Sequence, residues 1–189
     1  MSNIRVNTIN DANGGSNAVL YGVASPPNSM GFRNRLINGG FKIWQRGTSF
    51  TSTPSPAYVA DRWRVASAGA NQTVVQDGAY PNYTLNILGA SGNTYSWINQ
   101  RIEALNCFDL VGSRVTISGS LYTSGAGLPA SVALYYANAA DNFSAETSIE
   151  NFTLTTTPNG FTNFSFTTSA VLPSQAANGL ACLCTSTLP

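Results

Sequence analysis

The chain has 189 residues, of which 9 are basic, 8 acidic and none histidine, and its formal net charge is +1. So small a basic excess excludes an ordinary nucleic-acid binder or a polybasic membrane-surface protein. The lack of histidine excludes Ser-His and Cys-His catalysis. The length suits one good core, or one domain with an arm. No apolar run approaches the roughly 18 residues needed to span a bilayer, and the opening MSNIRVNTIND has no hydrophobic signal region. Asn, Ser and Thr carry the solubility, while Thr, Val, Tyr and Phe favour strands and Gly, Asn and Pro favour turns.

Residues 1–20 form a first unit. Ile4 and Val6 alternate with Arg5, Asn7 and Ile9 as in a short strand. NDANGGSN reads as a hairpin turn, because Asn-Gly-Gly favours positive φ. AVLYGV, with Val19, Leu20 and Tyr21, is the returning strand. A lone hairpin is marginal in water, so this unit needs a partner or is a tail. SPPNSMG follows as a stiff linker. The expected organisation is an attachment arm with its linker over 1–31 and a body over 32–189.

The body opens on the richest stretch of the chain, Asn34 to Val65. It holds two of the three tryptophans and five of the nine basic residues. LINGGF predicts a tight turn into a strand FKIWQR. SFTSTPSPAY predicts a loop, since two prolines block ladder pairing. YVADRWRV predicts one strand, with Val59, Asp61, Trp63 and Val65 on one face. QTVVQD and YTLNIL are further strands. YSWINQRIEAL fits helical or strand spacing, and the surrounding rhythm favours a strand through about Ile102. LNCFDLVGS is a connection. RVTISGSLYTS and ASVALYYAN are strands, and Ala139–Ile149 is expected as a polar loop or one helical turn. NFTLTTTP, NFSFTTSAV and GLACLCTS close the chain. Nine or ten strands without a convincing helix predict an all-β fold: an antiparallel, jelly-roll-like β-sandwich behind a short N-terminal β-hairpin arm.

Cys107, Cys182 and Cys184 are an odd set for a disulfide framework. Zinc needs four ligands, and without histidine buried free thiols are the expectation. A glycosidase pair needs two carboxylates about 5–10 Å apart, one of them with a raised pKa. Asp61 and Glu103 instead sit beside arginines, which hold carboxylates ionised. The chain therefore reads as a non-enzyme with no metal and no cofactor. Trp44, Arg46, Asp61, Arg62, Trp63, Arg101 and Glu103 form a candidate cluster, read as cross-strand ion pairs around core tryptophans rather than a sugar site. Trp97 and Tyr135 are the candidate glycan-facing aromatics, although large rings on strands are more often core.

NRLINGGFKIWQRGTSF…YVADRW, through Asn34, Arg35, Ile37, Asn38, Gly39, Gln45, Arg46, Gly47, Tyr58, Asp61, Arg62 and Trp63, resembles a signature of bacteriophage tail-fibre and virion structural proteins, especially of cyanophages. INQRIEALNCFDLVGSRVTISG resembles a second segment of that family, through Gln100, Arg101, Glu103, Leu110, Gly112, Val115, Thr116 and Ser118. SNIRVNTINDANGG resembles the family's leader. The resemblance implies a virion structural protein, a tail fibre or tail-associated appendage docked through its arm. It further implies a homotrimer with other tail or capsid proteins as partners, located in the virion after assembly in host cytoplasm. The alternatives are a capsid decoration or cement protein, and a carbohydrate-binding module recognising host surface glycan. Family members continue past CTSTLP, so the resemblance implies an open sheet edge after Leu180 that a sister chain could pair.

Overall fold

The computed structural model describes residues 34–52, 56–79 and 81–187. The expected arm, with Ile4, Val6, Ile9, Val19, Leu20 and Tyr21, lies outside the described residues. The described chain is all-β, its strands joined by turns and short 3-10 segments. In chain order the first strands are β1 (Ser49–Ser52), β2 (Ala57–Tyr58), β3 (Trp63–Ala68), β4 (Gln72–Ala79), β5 (Asn82–Gly89) and β6 (Tyr95–Ile102). They are followed by β7 (Thr116–Thr123), β8 (Pro129–Ala139), β9 (Asn142–Thr155), β10 (Gly160–Thr167) and β11 (Leu180–Thr187).

Every pairing is antiparallel. A six-stranded sheet runs β2-β3-β6-β11-β8-β9, beside a three-stranded sheet β1-β4-β5 and a two-stranded sheet β10-β7. Side chains alternate between faces along a strand, so the register assigns each residue a side. Val65 on β3, Ile98 and Ile102 on β6, Leu180 and Cys182 on β11, and Val132 and Leu134 on β8 share the inner face. The two smaller sheets cover that face. Val74 of β4, with Leu85 and Ile87 of β5, packs against Val65 and Ile98. Ile117 of β7, with Phe164 and Phe166 of β10, packs against Val132, Leu134, Leu180 and Cys182. The result is a jelly-roll-like sandwich with two apolar centres under one broad sheet. A buried polar contact also ties β6 to β4, in which Ser96 Oγ donates to Gln72 Oε1 at 2.7 Å.

Several sequence expectations change. FKIWQR is not a strand. Asn38 and Phe41 adopt left-handed φ of 55° and 49°, and the Asn38 side-chain oxygen accepts from the Lys42 and Ile43 amides. That side chain takes the place of a ladder partner. SFTSTPSPAY was expected to be loop throughout, yet its first four residues pair with β4 as β1. YVADRWRV is not one strand but a tight hairpin, β2 to β3, in which Arg62 turns the chain at φ 74° and Val59 N–H donates to the Trp63 carbonyl. Ala139–Ile149 is mostly strand: β9 begins at Asn142 and extends the β8 hairpin. YSWINQRI is strand β6, ending at Ile102 as its rhythm predicts. The edge expected after Leu180 is closed, because β11 lies inside the sheet with β6 on one side and β8 on the other. The edges of this sheet are β2 and β9.

Candidate functional site: the outer face of the six-stranded sheet

The charge-rich motifs meet first in a structural knot. Gln100, fully buried, accepts from Ile37 N–H at 2.6 Å and donates to the Ile37 carbonyl at 2.8 Å. Asn38 Nδ2 donates to the Ile43 and Asp61 carbonyls, and the indole N–H of buried Trp63 donates to the Asn38 carbonyl. Arg35 pairs with Asp109 and donates to the Asn106 carbonyl. Arg62 Nη2 reaches both oxygens of Glu103 at 2.5 and 2.6 Å. The two sequence motifs therefore staple one another.

Burial alone would raise the Glu103 pKa, but hydrogen bonds from Arg62, its own backbone amide and Asn106, with the Arg62 charge, hold it below the usual carboxylate range. Arg46 stands 3.8 Å from Asp61. Trp44 is half-buried against Phe50, and its indole N–H donates to the Phe41 carbonyl. Of the expected cluster, Arg101 is the member that departs. Its backbone carbonyl accepts from Arg62, but its guanidinium turns to the other face and pairs with Glu146 rather than Glu103. The knot residues that composition hid are Arg35, Asn38, Gln100 and Asp109. Arg35, Asn38 and Gln100 were visible only as letters of the two motifs quoted for the resemblance.

The outer face, turned away from both smaller sheets, has a different character. Register places Asn99 at its centre, opposite Arg64 on β3 and Leu183 on β11. Trp97 and Arg101 flank it along β6, and Tyr135 of β8 lies opposite Ala181 of β11. The floor is of small residues, with Ala66, Ala133 and Ala181 all buried. The Arg64 guanidinium lies over Tyr58 at 5.6 Å and over Trp97 at 5.8 Å. Arg101 lies over Phe143 at 4.9 Å and donates to its carbonyl. Burial and then the Arg101 charge lower the Arg64 pKa, with Tyr58 and Glu146 pulling the other way. Burial, with the Tyr135 hydroxyl adding to it, raises that of Tyr95.

Beside Trp97 the same face opens into a groove of about 450 Å³. Its walls are short and hydroxyl-rich: Ser131, Asn151, Thr153, Thr155, Thr185 and Thr187. Thr185 is the register neighbour of both Trp97 and Ser131, and the two hydroxyls share a hydrogen bond of 2.6 Å. An aromatic plate beside a row of hydroxyls and an amide matches the chemistry of a sugar, whose apolar C–H face stacks while its hydroxyls exchange hydrogen bonds. Both expected aromatics, Trp97 and Tyr135, are thus on this face. Arg64 and Asn99 belong to it too, and alternation along DRWRV and WINQR is the signal that could have found them.

The cysteines are free. Burial pushes Cys107 and Cys184 up to about 11 and Cys182 up to about 12. Thiols held protonated this way are poor nucleophiles and poor ligands. No His, Cys, Asp or Glu cluster suited to a metal occurs among the described residues.

No family model matches the chain, and no curated protein matches it. Among solved structures it is similar to the enzymatically active domain of tailspike protein 4 from bacteriophage CBA120, with 10% identity and a TM-score of 0.48. That match covers 67% of this chain, which spans only 17% of the tailspike chain. A CBM4 structure matches 80% of this chain and 94% of its own at 15% identity and a TM-score of 0.41. TmCBM61, solved with β-1,4-galactotriose, matches 83% of this chain and 89% of its own at 13% identity and a TM-score of 0.36. These are distant likenesses, and the functional reading rests on the residues themselves.

Proposed function

We propose that this chain is a non-enzymatic phage virion protein, a tail fibre or tail-associated appendage, whose body touches host surface glycan through the outer face of its large sheet. The virion reading is supported by the two family-like motifs and by the way they staple one another, as a scaffold signature would. The glycan reading is carried by one observation: Trp97 stands beside a groove of hydroxyls on a face that neither smaller sheet covers. Two features favour binding over catalysis. Glu103 is shifted away from the range a general acid needs. Glu146 is held by Arg101.

A glycan array probed with the purified chain tests the binding reading. A glycan should be retained by the wild type and lost by Trp97→Ala, with the urea unfolding midpoint kept. Retention by Trp97→Ala would move the site elsewhere. Antibody-gold electron microscopy of whole particles tests the location: label at the tail supports an appendage, and label spread over the head supports a decoration protein.

A further inference from the structure

We infer that the glycan taken by this face is acidic, carrying a carboxylate that is read by Arg64 and Arg101 beside Asn99. The inference rests on the glycan reading above and names its ligand class.

Three observations lead to it. The first is the balance of charge. Arg64 and Arg101 share the face, with Arg46 at its rim over Tyr58 and paired with Asp61; among the described residues Glu146 is the one carboxylate that bonds to Arg64 or Arg101, through Arg101 alone. The Arg64 guanidinium makes no hydrogen bond or ion pair among the described residues and rests on the rings of Tyr58 and Trp97. A guanidinium is always charged and fits a carboxylate with two parallel hydrogen bonds. Its place on aromatic rings holds it half-desolvated until such a partner arrives.

The second observation is Asn99. It is 5% exposed, and its side-chain oxygen has no hydrogen-bond partner among the described residues. A buried polar atom left unpaired is uncommon and marks a place where a donor belongs. A sugar hydroxyl is such a donor.

The third is spacing. Asn99 lies directly across from Arg64, with Arg101 two residues along the same face of β6 and Trp97 two residues the other way. At ~3.3 Å per residue Trp97 and Arg101 stand about 13 Å apart along β6, with Asn99 midway and Arg64 roughly 5 Å across from it. A short oligosaccharide spans them. Its carboxylate would meet Arg64 and Arg101, a ring hydroxyl would donate to Asn99, and its C–H face would stack on the indole that Arg64 uncovers as it turns. A neutral sugar would leave one of the two positive charges without a carboxylate, since Glu146 already balances Arg101.

Titration calorimetry at low salt tests this with two matched pairs: trigalacturonate against α-1,4-galactotriose, and 3′-sialyllactose against lactose. The acidic member of at least one pair should bind about tenfold tighter, the effect of one charge-assisted hydrogen bond. Which pair responds separates uronic from sialic acid. Arg64→Gln should level the pair that responds. Glu146→Gln removes the competing carboxylate and should tighten acidic binding several-fold, so the inference stays testable if Arg64→Gln does not fold. Equal or weaker binding of both acidic members overturns the inference. Should the array retain only neutral glycans, the inference alone falls. Should it retain none, the glycan reading falls with it.

Discussion

The knot and the outer face use the same residue types and put them to opposite ends. In the knot, Arg35 and Arg62 meet Asp109 and Glu103, and the carboxamides of Asn38 and Gln100 are spent on backbone groups of their own chain. On the outer face, Arg64 lies on rings and the Asn99 side-chain oxygen has no hydrogen-bond partner among the described residues. Adjacent residues are divided this way: Gln100 points into the knot and Asn99 and Arg101 out of it, Trp63 inward and Arg64 outward. The pleat of one strand separates scaffold from surface. Charge density in a sequence therefore says little about binding until each guanidinium's partner is known.

Substitutions can break or sharpen that contrast. The largest loss is expected from Gln100→Ala, which strands the Ile37 N–H and carbonyl. Each buried group left unpaired costs about 1–3 kcal/mol, so urea unfolding should show a drop of several times that of any outer-face change. Leu180→Ala tests whether β11 is interior, and a fall of about 2–5 kcal/mol is expected for a buried leucine. A value under 1 kcal/mol, on the scale of an exposed edge, would reopen that edge. Arg62→Ala should be mild, roughly 0.2–1 kcal/mol, because this pair is over a third exposed and screened by water.

The acid limb gives the sign of that last effect. Glu103 is held below its unfolded value, so its stabilisation is present above about pH 4.3, the unfolded value. It is lost as pH falls through the lower folded value. Arg62→Ala should flatten stability across that window, and an unchanged acid limb would remove Glu103 from the knot. The smallest change is at the thiols. At pH 8, well below values of about 11 to 12, the native chain should react with a thiol reagent far more slowly than the urea-unfolded chain. Fast labelling of Cys184, the half-buried one, would show that the sandwich opens there.

Strand rhythm was readable where one face is apolar. TVVQD, YTLNIL, YSWINQRI, RVTISGSLYT and SVALYYAN all alternate, and all became strands. Reading failed where a side chain replaced a ladder partner. FKIWQR alternates as well as any strand, but Asn38 captures its first amides. YVADRWRV alternates too, but it is short enough to fold on itself once Arg62 takes a left-handed turn. The first part of β9, up to Ile149, was missed for the reverse reason: as an edge strand its outer positions face water and carry little apolar pattern.

The amino-acid sequence by itself determined that this chain is a β protein without histidine chemistry. Alternation, turn residues and composition act locally, and they need no partner to be read. It also placed Trp97 and Tyr135 on strands. Only the tertiary structure decided which arginine meets a carboxylate and which meets a ring: the ion-pair partners lie 41 to 74 residues apart in the chain (Arg35 with Asp109, Arg62 with Glu103, Arg101 with Glu146), Arg64 is left to the rings of Tyr58 and Trp97, and strand order brings them together. Strand order also moved β11 from a supposed edge to the middle of the sheet. Hydrogen-bond pairing between distant strands is a property of the whole fold, and no local pattern encodes it.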